Sequence, residues 1–94
     1  MKVNVEFMGQ LGTAIGRPAD ELELPLNTTV FDLIVSVSDG REIDLRAHLI
    51  DPNHQVQPSL LIAVNGIACL AHQAASTVLQ DGDSVILMPP ISGG

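Results

Sequence analysis

One segment of this chain has apolar residues at helical spacing, and this segment limits the possible folds more than any other feature. Its apolar positions follow the i, i+3, i+4, i+7 pattern of a single helical face: Val30, Leu33, Ile34 and Val37. Thr29 and Asp32 have the spacing of a capping box, and Gly40 stands where a left-handed residue ends many helices. The pattern predicts one main helix over residues 30–39.

The residues before this helix alternate between polar and apolar, which is typical of strands. Residues 2–8 predict a first strand, and residues 21–24 predict a second that stops at Pro25. Between them, residues 9–18 carry three glycines and a proline, so we expect a loop there. The two strands are therefore predicted to form a hairpin.

Three more strands are predicted after the helix. Residues 60–64 are an apolar run, and Asn65-Gly66, a strong hairpin signal, separates this run from a strand at 67–70. A turn of aspartate and glycine then precedes the last strand, at 84–88. That strand must end at Pro89-Pro90, because neither proline can donate a ladder hydrogen bond.

Taken in order, these elements predict an α+β roll, with a mixed sheet of about five strands and one main helix packed on one face. Residues 42–50 are predicted to add a short helix, and residues 51–58 to form a loop. We expect a single domain over residues 1–88 and a flexible tail over residues 89–94 that ends in two glycines. The predicted core comprises Val3, Val5, Phe7, Leu22, Leu24, Val30, Leu33, Ile34, Val37, Ile62, Val64, Val85 and Leu87.

The charge of the chain restricts its partners. Four lysines and arginines stand against eleven aspartates and glutamates, giving a formal net charge of −7. Such a chain is repelled by nucleic acid and by anionic membranes, whereas a basic protein surface attracts it. An acidic surface that only maintains solubility is the alternative. With one cysteine, Cys69, and no apolar run near the ~20 residues of a membrane span, we expect a cytoplasmic protein.

The sequence contains no pattern of its own for catalysis or for holding a metal. The three histidines lack the spacing of a metal-binding pair, and no glycine-rich phosphate-binding motif is present. Cys69 and His72 are a conceivable nucleophile and base, but no third residue is placed to orient the imidazole. We therefore expect a structural cysteine, no bound metal or cofactor, and no catalysis by this chain alone.

The tail is the most distinctive part of the sequence. Pro89-Pro90 favours an extended chain, and the four residues after it can reach about 13–14 Å. Gly93 and Gly94 have no side chains, so the tip is thin enough to enter a narrow channel and present a carboxylate there. An ordinary frayed terminus is the alternative interpretation.

Two segments, AVNG at 63–66 and DGDSVILMPPISGG at 81–94, resemble the MoaD/ThiS family of ubiquitin-like sulfur carriers. Within that family the tail is most similar to that of molybdopterin synthase small subunits. The resemblance implies a β-grasp fold and a role as the small subunit of molybdopterin synthase. It also implies that an E1-like adenylyltransferase uses ATP to adenylate Gly94, with Gly93 as a steric gate, and that a sulfur donor protein converts the adenylate to a thiocarboxylate.

In the family's cycle, the large subunit of molybdopterin synthase receives the tail and passes its sulfur to cyclic pyranopterin monophosphate. Related carriers with similar tails serve the synthesis of thiamine or cysteine, or the thiolation of tRNA. A ubiquitin-like modifier joined to lysines through Gly94 and a plain interaction module with an inert tail are further alternatives.

The strand pattern also predicts where partners bind. If Val85 and Leu87 point into the core, then Ile86 and Met88 lie on the opposite face of the sheet. An exposed apolar face commonly marks an interface, although a loop that covers this face is the alternative. The predicted partner-binding residues are Leu61, Ala63, Ile86, Met88, Pro89, Pro90, Ile91 and Ser92.

Overall fold

The computed structural model describes residues 1–39 and 43–89, with the backbone alone over 43–45. Gly40, the predicted helix terminator, therefore lies outside the described residues. The elements in chain order are β1 (Lys2–Phe7), α1 (Gln10–Ile15), β2 (Ala19–Glu23), α2 (Val30–Ser38), α3 (Ile43–Leu49), β3 (Leu61–Val64), β4 (Ile67–Cys69), a 3₁₀ helix (Ala71–Ser76) and β5 (Ser84–Met88).

The five strands form one mixed sheet in the order β2-β1-β5-β3-β4. The neighbouring strands β1 and β5 are parallel, and the other neighbouring pairs are antiparallel. The predicted α+β class and mixed sheet are confirmed. The first two strands pair as expected, with Val3 opposite Leu22, although the connection between them contains a helix.

The core lies between the sheet and α2, on what we call the inner face of the sheet. Of the predicted core residues, all but Leu22 and Val64 are buried, and these two are partly buried against the same cluster. The alternation of the strands and the 3.6-residue period of α2 thus identified the two contacting surfaces. Among the side chains that the structure describes, seven further residues belong to the core: Leu11, Leu49, Val56, Leu60, Cys69, Ala74 and Leu79.

Helix α2 begins as its sequence predicts. The side chain of Thr29 accepts a hydrogen bond of 3.1 Å from the backbone N–H of Asp32, and the Asp32 carboxylate accepts one of 3.1 Å from the N–H of Thr29. This reciprocal capping box satisfies two donors that the first turn would otherwise leave unpaired.

The prediction of a loop over residues 9–18 is wrong, because residues 10–15 form α1. Leu11 anchors this short helix in the core with 2% of its surface exposed. A Cβ on Gly12 would lie 2.7 Å from the carbonyl oxygen of Phe7, so glycine is needed there for the helix to lie against the end of β1. In the sequence, the glycines of this segment indicate a loop. In the structure, Gly12 allows α1 to pack closely against β1. The 3₁₀ helix was also not predicted.

Candidate functional site

Strand β5, which leads to the tail, occupies the centre of the sheet. Val85 pairs with Val5 of β1 on one side and with Val64 of β3 on the other, and Val85 and Leu87 are fully buried in the core. Because successive side chains of a strand point to opposite faces, Ile86 and Met88 are directed to the outer face of the sheet. The tail therefore begins from a strand that is held on both edges.

The outer face carries a group of apolar side chains on β3 and β5. Leu61 lies opposite Met88 and Ala63 lies opposite Ile86 in the antiparallel register. Leu61 is 53% exposed, and the other three are partly buried. No described segment of the chain covers Leu61. We call these four residues the apolar outer face.

The part of the outer face on β1 and β2 is mainly polar and carries a net negative charge. Glu6 lies next to Ile86 in the parallel register of β1 and β5, and Asn4 lies opposite Glu21 of β2. Lys2 is at the far end of β1, where its Nζ lies 3.8 Å from the Glu21 carboxylate. The apolar outer face thus borders a surface of negative charge, which suits a partner with a basic rim around an apolar centre.

The tail leaves the sheet beside α1. The N–H of Met8 donates a hydrogen bond of 2.9 Å to the carbonyl of Leu87, so the ends of β1 and β5 are joined up to the start of the tail. Pro89 is half-buried there, next to Gly9. The predicted site residues Pro90, Ile91, Ser92, Gly93 and Gly94 lie outside the described residues.

An open groove of about 780 Å³ lies next to this exit, between the end of β1, α1 and the start of β2. Three of its lining residues are the glycines at positions 9, 12 and 16, and Met8 and Arg17 contribute larger side chains. Sequence reasoning missed this groove, because it assigned residues 9–18 to a loop. The signal that could have found it is the pair Leu11 and Ile15, two large apolar residues four positions apart among the glycines.

The two segments that carry the family resemblance are in contact. Asn65 and Gly66 have φ angles of 51° and 82°, as the two-residue turn between β3 and β4 requires. The Asn65 side chain bonds to two consecutive residues at the start of β5: its amide donates to the Asp83 carboxylate and its oxygen accepts from the N–H of Ser84, each at 2.9 Å. These bonds help to position the strand that leads to the tail.

Cys69 and His72 do not form a nucleophile and base. The Cys69 thiol is buried, with its sulfur 3.7 Å from the hydroxyl oxygen of Thr77, and His72 is exposed to solvent. This agrees with the prediction of a structural cysteine. In the described part of the chain, no group of three or more His, Cys, Asp or Glu side chains could hold a metal ion. The described helices are too short or too polar to cross a bilayer.

The chain is similar in sequence and in structure to several known small proteins. Residues 5–94 match the ThiS family. Small archaeal modifier protein 3 of Haloferax volcanii is 26% identical over 94 residues, which is 100% of each chain. Small archaeal modifier protein 1 of Methanosarcina acetivorans has a solved structure that is 25% identical, with a TM-score of 0.79 over 99% of this chain and 96% of that chain.

A third similar protein is a candidate subunit 1 of molybdopterin converting factor from Pyrococcus furiosus. It is 27% identical, with a TM-score of 0.75 over 97% of this chain and 99% of that chain. These likenesses, together with the strand order, confirm the predicted β-grasp fold.

Proposed function

The chain belongs to the ThiS family, within the ubiquitin-like sulfur carriers and modifiers, and we propose that it carries sulfur for molybdopterin synthesis. In this proposal Gly94 is the working residue and the chain is the small subunit of molybdopterin synthase. The observation that carries the proposal is the placement of β5. This buried central strand ends beside an exposed apolar surface, at the point where the tail begins.

The proposed chemistry takes place at the carboxylate of Gly94. A carboxylate is a poor acylating agent, so an E1-like enzyme first uses ATP to convert it to an acyl adenylate. Sulfide released by a donor protein then attacks the acyl carbon, the bond from that carbon to the AMP oxygen breaks, and AMP departs, so that the chain ends in a thiocarboxylate. Gly93 has no side chain, which allows the tip to enter a narrow active site. The chain supplies the sulfur atom, and its partners supply the catalytic groups.

Two features of the described surface support binding to such partners. The apolar outer face is a docking surface in this proposal, because burying apolar area is the main source of affinity in protein interfaces. It lies at the same end of β5 as the tail, so one partner can hold both. The acidic remainder of the sheet attracts a basic surface and aligns the two proteins during encounter. The large subunit and the activating enzyme are the proposed occupants.

The intact mass of the chain tests sulfur carriage. The purified protein is incubated with an E1-like enzyme from its own organism, ATP and a sulfur source, and then analysed by mass spectrometry. We expect a mass gain that corresponds to the exchange of one oxygen for sulfur, located on Gly94 by fragmentation. Omitting ATP is the control. An unchanged mass under complete conditions, with an activating enzyme proven on another carrier, would contradict the proposal.

The pathway is tested separately by incubating the thiocarboxylate form with a molybdopterin synthase large subunit and cyclic pyranopterin monophosphate. Formation of the dithiolene supports the molybdopterin assignment. If sulfur appears instead in thiamine, cysteine or tRNA precursors, the chain is a carrier for that pathway. The partner that copurifies with the tagged protein decides which of these assays comes first.

A protein modifier is the second candidate function. It is favoured by the similarity to small archaeal modifier protein 3, which extends over the whole of both chains. In this case Gly94 would be joined to lysine side chains of other proteins. Isopeptide-linked adducts of a tagged chain, absent when Gly94 is deleted, would support this function. Free thiocarboxylate as the sole product would count against it.

A further inference from the structure

Gly9 and Pro89 are brought together at the point where the tail leaves the sheet. A Cβ built on Gly9 would lie 3.8 Å from Cγ and 4.0 Å from Cδ of Pro89. A side chain at position 9 would therefore point at the ring of Pro89. A single methyl group would fit in ordinary van der Waals contact, whereas further atoms would need the space that the ring occupies.

The backbone of Gly9 is itself restricted to glycine. Its φ and ψ angles are 54° and −132°, in a region that residues with a Cβ rarely occupy. This conformation turns the chain from the end of β1 into α1. The turn is supported by the burial of Leu11 and by the close approach of Gly12 to Phe7. The surface under Pro89 is therefore part of the folded body.

Pro89 connects the end of β5 to the tail, and its backbone conformation is restricted. Its own φ is fixed near −65° by the ring, and the proline that follows it in the sequence restricts it to extended backbone. Its preceding residue, Met88, is held in the sheet opposite Leu61. Pro89 is therefore a half-buried residue of restricted backbone conformation that rests on the folded body.

We infer that Gly9 is a positioning residue: it seats Pro89 and so sets the direction in which the tail reaches into a partner's active site. This inference rests on the proposed function. Direction matters because a terminal carboxylate misplaced by about 1 Å can lose on the order of 100-fold in rate.

The test compares Gly9→Leu with Gly16→Leu. Both glycines flank α1, both have positive φ (54° and 92°), and both line the groove, but a Cβ on Gly16 would meet no atom of the described residues within 4 Å. Each variant is incubated with the activating enzyme, ATP and a sulfur source, and the rate of thiocarboxylate formation is measured by intact mass. Varying the carrier concentration separates kcat from KM.

For Gly9→Leu we expect kcat to fall by about 10- to 100-fold while KM stays within about threefold, because the docking face is unchanged. For Gly16→Leu both constants should stay within about threefold of the wild-type values. Equal kcat values for Gly9→Leu and Gly16→Leu would overturn the inference. An effect of Gly9→Leu on KM alone would overturn it as well. If wild-type protein forms no thiocarboxylate, the proposed function itself fails.

Pro89→Ala provides an independent measurement should Gly9→Leu not fold. It removes the ring that rests against Gly9 and leaves α1 unaltered. We expect a lower kcat and an unchanged melting temperature, since Pro89 lies outside the core cluster. An unchanged kcat in this variant would also overturn the inference.

Discussion

Asn65 and Asp83 are joined by a side-chain hydrogen bond of 2.9 Å, which links the turn between β3 and β4 to the start of β5. The two residues are 18 positions apart and come from the two sequence segments on which the family resemblance rests. Asp83 also accepts a bond of 2.8 Å from the N–H of Gln80 through its other oxygen. The contact thus joins the two short segments through their side chains.

Removing the Asn65 side chain should therefore destabilise the fold. Asn65→Ala loses bonds to Asp83 and Ser84 and places alanine at a φ of 51°, so we expect a loss of about 2–3 kcal/mol in the free energy of unfolding. Asn65→Gly loses the same bonds but tolerates the positive φ, so its loss should be nearer about 1 kcal/mol. Chemical denaturation measures the free energy of unfolding of each variant. Equal losses would show that the backbone angle contributes nothing.

The position of Gly12 reverses the usual effect of an alanine substitution. Replacing a glycine inside a helix by alanine normally stabilises the protein by about 1 kcal/mol. At Gly12 the new Cβ would meet the Phe7 carbonyl oxygen at 2.7 Å, so we expect Gly12→Ala to be destabilising by about 1–3 kcal/mol. Thr13→Ala, at the exposed neighbouring position, is the control and should be close to neutral. A stabilised Gly12→Ala would contradict the close packing of α1 on β1.

The apolar outer face should bind partners through its uncharged surface. Met88→Asp would bury an unpaired carboxylate in the proposed interface, and we expect binding to the large subunit or activating enzyme to weaken at least about tenfold. Leu61→Asp should act in the same way with little effect on folding, because Leu61 is 53% exposed. Isothermal titration calorimetry measures the affinity of each variant for its partner.

Asn4→Asp is the matched control for these two variants. It adds the same charge to the same side of the sheet, but on β1 and next to Glu21. Its affinity should change by less than about threefold, as is usual for a charge at the rim. If all three variants bind equally well, the docking surface lies elsewhere on the molecule.

Gly94 should be essential for function and irrelevant to folding. Its deletion, or the addition of one residue after it, should abolish thiocarboxylate formation, because the activating enzyme would meet a displaced or altered carboxylate. The melting temperature should not change, since the core cluster of the described residues lies within residues 1–87. Mass spectrometry and thermal unfolding check the two halves of this prediction. Normal sulfur transfer by either variant would show that Gly94 is not the acceptor.

The sequence by itself determined those elements whose signal is local. Alternation along β1 and β5 and the helical spacing of α2 identified most of the core, because side-chain direction follows directly from the period of each element. The capping box at Thr29 and the turn at Asn65-Gly66 were equally predictable, since each depends on residues close in the chain. The same alternation correctly directed Ile86 and Met88 away from the core.

Only the tertiary structure decided the features that depend on contacts between distant residues. The order of the strands, the bond from Asn65 to Asp83 and the position of Pro89 against Gly9 each join segments that no local pattern connects. Helix α1 belongs to the same group. Gly12 on its own disfavours a helix, and α1 forms because Leu11 gains burial in the core and Gly12 can approach β1 closely.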